Sequence, residues 1–208
     1  MSLWAIVPVK PLLLGKSRLA AKLDETERIS LNQKLYKNTL KVLLQVKEIT
    51  NILIVSRDSD VLSYARNEGI RTVQENGSPN LNEALRRASL FAQMNSTEGI
   101  IIIPADLPLM TPKDIQEVIH AGSDPPMAVI VPDRRMEGTN ALFINPADLI
   151  TFSFGLDSFE THCHLIKDTK STLKIIYNEN IALDLDIPDD LNFYNSRIIA
   201  ESMIEHSP

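Results

Sequence analysis

Short, continuous apolar runs alternate along this chain with longer stretches whose apolar positions recur every three or four residues. The first kind predicts buried strands, the second amphipathic helices. Ala5 to Val9 is a β-branched run stopped by a loop containing lysine and proline, and it reads as the first strand. Asp24 stands three residues before Glu27, a capping-box arrangement, and Ile29, Leu31, Leu35, Leu40, Val42, Leu43 and Val46 follow at helical intervals. A long helix to about Lys47 is expected. Asn51 to Ser56 reads as a second strand, Ser59 to Asn67 as a helix ended by Gly69, and Ile70 to Gln74 as a short strand. Leu81, Ala84, Leu85, Ala88 and Phe91 share one face of a helix running to Met94, and Gly99 to Pro104 is the most hydrophobic strand.

Thr111-Pro112 supplies an N-cap and a first-position proline for a helix carrying Ile115, Val118 and Ile119. Met127 to Pro132 and Ala141 to Ile144 read as strands flanking a Gly138-Thr139-Asn140 turn. Thr161 to Thr169 reads as a helix and Lys174 to Tyr177 as a strand. Ile187-Pro188-Asp189 opens a last helix, with Asp189 as its N-cap and Asp190 as a first-turn acid. Fully apolar strands alternating with helices imply a mostly parallel sheet covered on both faces. Residues 1–208 are expected to form one three-layer, Rossmann-like α/β domain. Its ligands should sit at the carboxyl ends of the strands.

Composition narrows the class. The 208 residues are 44% hydrophobic and 23% charged, near the globular average, which excludes a disordered or fibrous chain. A net charge of −6 argues against general nucleic-acid binding. The longest apolar runs, such as Ile100 to Pro104, are far too short to span a bilayer, and the opening residues lack a secretory layout. The lone Cys163 leaves no intrachain disulfide, so a cytoplasmic, reducing setting is expected. The charges are uneven. Met1 to Ala21 carries only Lys10, Lys16 and Arg18, with Lys22 next, whereas Asn180 to Ser196 carries only Asp184, Asp186, Asp189 and Asp190. A purely basic loop in an acidic protein points to an anionic ligand.

That loop ends in Gly15-Lys16-Ser17, which echoes the end of a P-loop, but Lys10 stands where the motif needs its first glycine, and Pro11 and three leucines follow. Bulky residues prevent backbone N–H groups from cradling phosphates. Lys10, Lys16, Arg18 and Lys22 are instead expected to neutralise a polyphosphate by side-chain charge. Asp106 follows directly on the most apolar strand, and Asp184 and Asp186 point to the same side of an extended segment. Paired carboxylates of this kind suit a hard cation such as Mg²⁺ carrying phosphate oxygens. His162-Cys163-His164 is a weaker metal candidate: on a helix its imidazoles diverge, and a structural role is expected. No serine–histidine–acid or cysteine–histidine arrangement is visible. A phosphate monoester nucleophile, with a second pKa of about 6, is already anionic and needs no general base.

Taken together, Val7-Pro-Val-Lys10 with Lys16-Ser-Arg-Leu19, Asp106-Leu-Pro-Leu109, Gly138-Thr-Asn-Ala-Leu142, Phe154-Gly155 with Ser158-Phe159 and His162, and Leu183-Asp-Leu-Asp186 with Pro188 resemble the 2-phospho-L-lactate guanylyltransferase family of coenzyme F420 biosynthesis. The resemblance spans nearly the whole chain. It implies a nucleotidyltransferase fold related to the GT-A glycosyltransferases, with Asp106, Asp184 and Asp186 holding Mg²⁺. Thr139, Gly155 and Ser158 would hold a phosphorylated three-carbon acid: 2-phospho-L-lactate, phosphoenolpyruvate or 3-phosphoglycerate. Lys10, Lys16 and Arg18 would act on the triphosphate of GTP, and Pro8, Val9, Ser17, Lys22 and Asn82 would complete the nucleotide contacts. Guanine selection is left open between Glu75, a carboxylate near an expected strand end, and Asn82, which opens a helix on the nucleotide side. The resemblance also implies a homodimer. Competing readings are a nucleotidyltransferase with a sugar-phosphate or molybdopterin acceptor, and a non-catalytic nucleotide-binding module.

Overall fold

Seven strands form one sheet in the computed structural model, which describes residues 2–205. They are β1 (Leu3–Val9), β2 (Asn51–Ser56), β3 (Arg71–Gln74), β4 (Gly99–Ile102), β5 (Met127–Pro132), β6 (Thr139–Asn145) and β7 (Thr172–Ile175). The helices are α1 (Glu25–Leu43), α2 (Ser59–Asn67), α3 (Leu81–Met94), α4 (Pro112–Ala121), α5 (Ser158–Asp168), α6 (Glu179–Ala182) and α7 (Pro188–Glu205). The strand order is β3-β2-β1-β4-β6-β5-β7, and only β6 runs against its neighbours. Strand residues alternate between two cores. Leu3, Ala5 and Val7 face Leu40, Leu43, Val61 and Val118 on one side. Trp4 and Ile6 face Leu85, Ala88 and Ile166 on the other. The expected three-layer, mostly parallel α/β architecture is what the chain adopts.

This topology fixes where a ligand can enter. From β1 the chain runs outward through β2 and β3, then returns to lay β4 on the opposite side of β1. The crevice between the ends of β1 and β4 is therefore the switch point at which open α/β sheets bind ligands. Because β6 is antiparallel, its first residue, Thr139, lies at the same edge as the last residues of its neighbours.

Several boundaries differ from the sequence expectation, each for a local reason. Helix α1 stops at Leu43; Val46, which extends the helical spacing, is buried by a tight turn in which Gln45 N–H donates to Val42 and Val46 N–H to Leu43. Thr139 and Asn140 are strand residues, and the turn before them is closed by Asp133 N–H donating to the Gly138 carbonyl at 3.0 Å. Helix α5 opens at Ser158, and β7 is Thr172–Ile175 rather than Lys174 to Tyr177. The capping box at Asp24/Glu27 and the Thr111 N-cap with Pro112 behind it form as expected, and Asp114 completes a second capping box at Thr111.

Asp189 is not the cap of the last helix; it lies inside α7, after Pro188 at the first position. The buried Asp190 does the capping: its Oδ2 accepts from the backbone N–H groups of Asp186 (3.2 Å) and Ile187 (3.0 Å), and its Oδ1 takes a 2.7 Å bond from Arg135. One carboxylate thus holds the 184–187 segment in shape. Asp190→Ala is expected to cost about 3 kcal/mol of stability, read as a lower urea midpoint, because two N–H donors and the Arg135 cation lose their partner.

Candidate active site

The loop after β1 is fixed at four points. Leu12 N–H donates to Asp58 Oδ2 at 3.0 Å, and the Leu12 carbonyl accepts from Asn32 Nδ2 at 2.8 Å. Asp58 also caps α2 through its other oxygen. A Cβ at Gly15 would lie 2.5 Å from Asn32 Nδ2, so a larger residue there would displace the amide that holds Leu12. Lys16 adopts a left-handed conformation (φ 59°), and its almost fully buried ammonium donates to Asp106 Oδ2 at 2.6 Å. Arg18, mostly exposed, reaches Asp186 Oδ2 at 2.7 Å. The basic loop and the carboxylates, up to 168 residues apart in sequence, therefore meet across the switch point.

A cavity of about 490 Å³ is lined by Pro8, Val9, Lys10, Gly15, Lys16, Arg57, Glu75, Asn80, Asp106 and Asp186, among others; Arg18 and Asp184 lie outside that lining. Backbone contact joins the two acidic segments, with Leu185 N–H donating to the Asp106 carbonyl at 3.3 Å. The Asp184 carboxyl is pushed up to about 6, first by burial and then by the neighbouring Asp106 charge; Asn140 and Lys16 pull the other way. Asn140 Nδ2 lies 3.4 Å from Asp184 Oδ1 and also donates to the carbonyls of Ile181 and Ala182.

Do these residues fit a divalent cation? Asp106 Oδ1 is buried with no hydrogen-bond partner, an unmet acceptor near a second carboxylate whose charged form is disfavoured by burial. All the donors are oxygens, the set a hard cation takes. Asp106 and Asp184 fit such an ion. Asp186 borders the same cavity but is turned to Arg18, and among the described residues no three His, Cys, Asp or Glu side chains stand at ligand spacing. The Arg18–Asp186 pair is solvent-exposed, so releasing Asp186 toward an ion costs little.

A second constellation sits at the start of β6 and α5. Ser158 is buried in the first turn of α5, whose start carries no side-chain cap, and Gly155 has φ +138°. Phe159 N–H donates to the Glu137 carbonyl at 3.1 Å, holding the 154–159 loop against the residues that precede Thr139. Uncapped helix N-termini favour anions. Thr139 meets α5 one turn beyond Ser158, its Oγ1 3.0 Å from His162 Nδ1, while the next residue, Asn140, is turned to Asp184; none of Thr139, Gly155 and Ser158 borders the cavity itself.

Not every expected contact is present. Both ends of the Asn82 amide bond the Phe154 backbone: Oδ1 accepts from N–H at 2.7 Å and Nδ2 donates to the carbonyl at 3.0 Å. Asn82 is therefore a clamp between α3 and the 154–159 loop; it does not border the cavity, whereas Asn80, the α3 N-cap, does. Ser17 and Lys22 are exposed and do not border it. Glu75 does, accepting from Asn80 N–H at 3.0 Å with Arg57 Nε 3.6 Å away. Asp58 and Arg57 were not singled out as site residues, and Asn140 stood only inside the Gly138-to-Leu142 piece of the resemblance; Asp58 left a signal as a cap-type residue opening α2. His162 and His164 diverge as expected, His162 fully buried and His164 exposed beside Glu160.

Comparison with known proteins gives a consistent picture. A family model described as "Guanylyl transferase CofC like" matches residues 3–194. The chain is 34% identical over 208 residues to a phosphoenolpyruvate guanylyltransferase of Rubrobacter xylanophilus, covering 100% of this chain and 98% of the relative. It is 33% identical to a 2-phospho-L-lactate guanylyltransferase of Methanocaldococcus jannaschii, covering 89% of this chain and 79% of the relative. Among solved structures, a nucleotidyl transferase from Methanothermobacter thermautotrophicus superposes with a TM-score of 0.68 at 13% identity, covering 96% of this chain and 99% of the other.

Proposed function

Because this chain belongs to the CofC-like guanylyl transferase family, we propose that it transfers GMP from GTP to the phosphate of a phosphorylated three-carbon acid at the β1–β4 crevice. The observation that carries this reading is the meeting of Lys16 and Arg18 with Asp106, Asp184 and Asp186 at the topological switch point. The acceptor's phosphate is dianionic near neutral pH, so its oxygen attacks the α-phosphorus of GTP without a protein base. A new P–O–P bond forms, the α–β anhydride breaks, and pyrophosphate leaves with the electron pair. Lys16 and Lys10, which border the cavity, and Arg18, paired to Asp186, offset the charge building on that leaving group. Asp106 and Asp184 would hold Mg²⁺, with Asp186 joining them. An ion held there would supply charge neutralisation to the phosphates. Thr139, Ser158 and the Gly155 backbone orient the acid so that its phosphate lies in line with the α-phosphorus.

The test is a matrix of acceptors and nucleotides, read by mass spectrometry of the product and by pyrophosphate release. Phosphoenolpyruvate, 2-phospho-L-lactate and 3-phosphoglycerate are each paired with GTP and Mg²⁺. At least one is expected to give a guanosine diphosphate-linked acid in step with pyrophosphate. Turnover with sugar phosphates or a pterin cofactor alone, or none at all in folded protein, contradicts the proposal.

A further inference from the structure

His162 is buried, uncharged and unused by the chemistry above, yet both ring nitrogens are engaged. The backbone N–H of Ser153 points at Nε2 from 3.1 Å. An amide N–H can only donate, so Nε2 must accept and cannot carry a proton. In a neutral ring the proton is then on Nδ1, which lies 3.0 Å from Thr139 Oγ1. Burial holds the imidazole neutral, down to about 4, and the Phe154 ring packs edge-on at 4.7 Å. Nδ1–H therefore donates to the Thr139 oxygen, leaving the hydroxyl's own proton to point elsewhere. A hydroxyl left free to rotate could meet an anion with either a lone pair or its proton; this one is set to donate.

We propose that His162 is a positioning residue for the acceptor: fixed in one tautomer by the Ser153 amide, it turns the Thr139 hydroxyl into a dedicated donor to an anionic group of the acid. This rests on the reading that Thr139, Gly155 and Ser158 form the acceptor subsite, and it goes beyond that reading by assigning the donor direction and the group that sets it. His162 touches no reacting atom. Its whole effect runs through one hydroxyl.

The experiment compares steady-state kinetics of the wild type, His162→Ala, His162→Asn, Thr139→Val and the Thr139→Val/His162→Ala double variant, varying acid and GTP separately. His162→Ala is expected to raise KM for the acid about tenfold, the loss of one well-placed hydrogen bond. KM for GTP stays unchanged and kcat moves little. His162→Asn, whose amide N–H can replace Nδ1–H, restores most of the acid affinity. In the Thr139→Val background, His162→Ala adds almost nothing. Equal loss on both substrates, no rescue by Asn, or additive losses in the double variant each overturn the assignment. Should His162→Ala not fold, His162→Asn decides the matter: near-wild-type KM for the acid supports the assignment, a large rise overturns it. A wild type that turns over none of the acids refutes the proposed function and is seen before any variant is compared.

Discussion

Lys16→Ala is expected to lower turnover by about 10²–10³-fold, the loss seen when one charged group facing a developing anion is removed. The reason is placement. Lys16 alone among the loop's cations is almost fully buried, its ammonium 2.6 Å from Asp106. A buried ammonium cannot be replaced by water or by the exposed Arg18. The same change leaves the Asp106 carboxylate without its partner beside Asp184, so the variant should also lose about 1–3 kcal/mol of stability. Rapid-quench measurement of pyrophosphate release separates the catalytic loss from the fold, and urea unfolding records the second effect. Arg18→Ala, which breaks an exposed pair, should cost far less on both scales.

Asp184→Asn is expected to move activity and stability in opposite directions. Turnover should fall on the order of 10³-fold, because an amide oxygen is a much weaker cation ligand than a carboxylate. Stability of the metal-free chain should rise. Burial and the Asp106 charge push the Asp184 carboxyl up to about 6 in the fold, while the unfolded chain keeps the ordinary value of 3.8. A raised folded pKa means the native state binds the proton more tightly, so wild-type stability is lost as pH rises from about 4 through about 6. Asparagine keeps the acceptor that faces Asn140 and never ionises. Its advantage should be absent below about pH 4 and full above about pH 6, on the order of 1–3 kcal/mol. Paired urea titrations at pH 4 and pH 8 read it directly.

The sheet was legible because its strands are apolar throughout, and that pattern survives any register. Its order was not. Nothing in Thr139-Asn140-Ala141 announces an antiparallel strand inserted between β4 and β5, and small polar residues after Gly138 resemble a turn. The site was legible in part for a related reason. Charges with no opposite charge close by in sequence, such as Lys16, Asp106 and Asp184, must meet partners when the chain folds. Side chains that act by orienting others left no such mark. Asn82 was readable as a polar residue at a helix start, but its bidentate hold on Phe154 depends on a loop 72 residues away. Asp190 and Asp189 are adjacent and identical in type, and only the position of Pro188 at the first turn decides which one folds back to cap the segment.

Mn²⁺ binding in the presence of GTP, followed by electron paramagnetic resonance of the free ion, addresses the convergence of these groups most directly. The account predicts one saturable class of sites in the wild type, weakened at least about tenfold in both Asp106→Asn and Asp184→Asn. Equal Mn²⁺ affinity in all three proteins would place the ion elsewhere and contradict it.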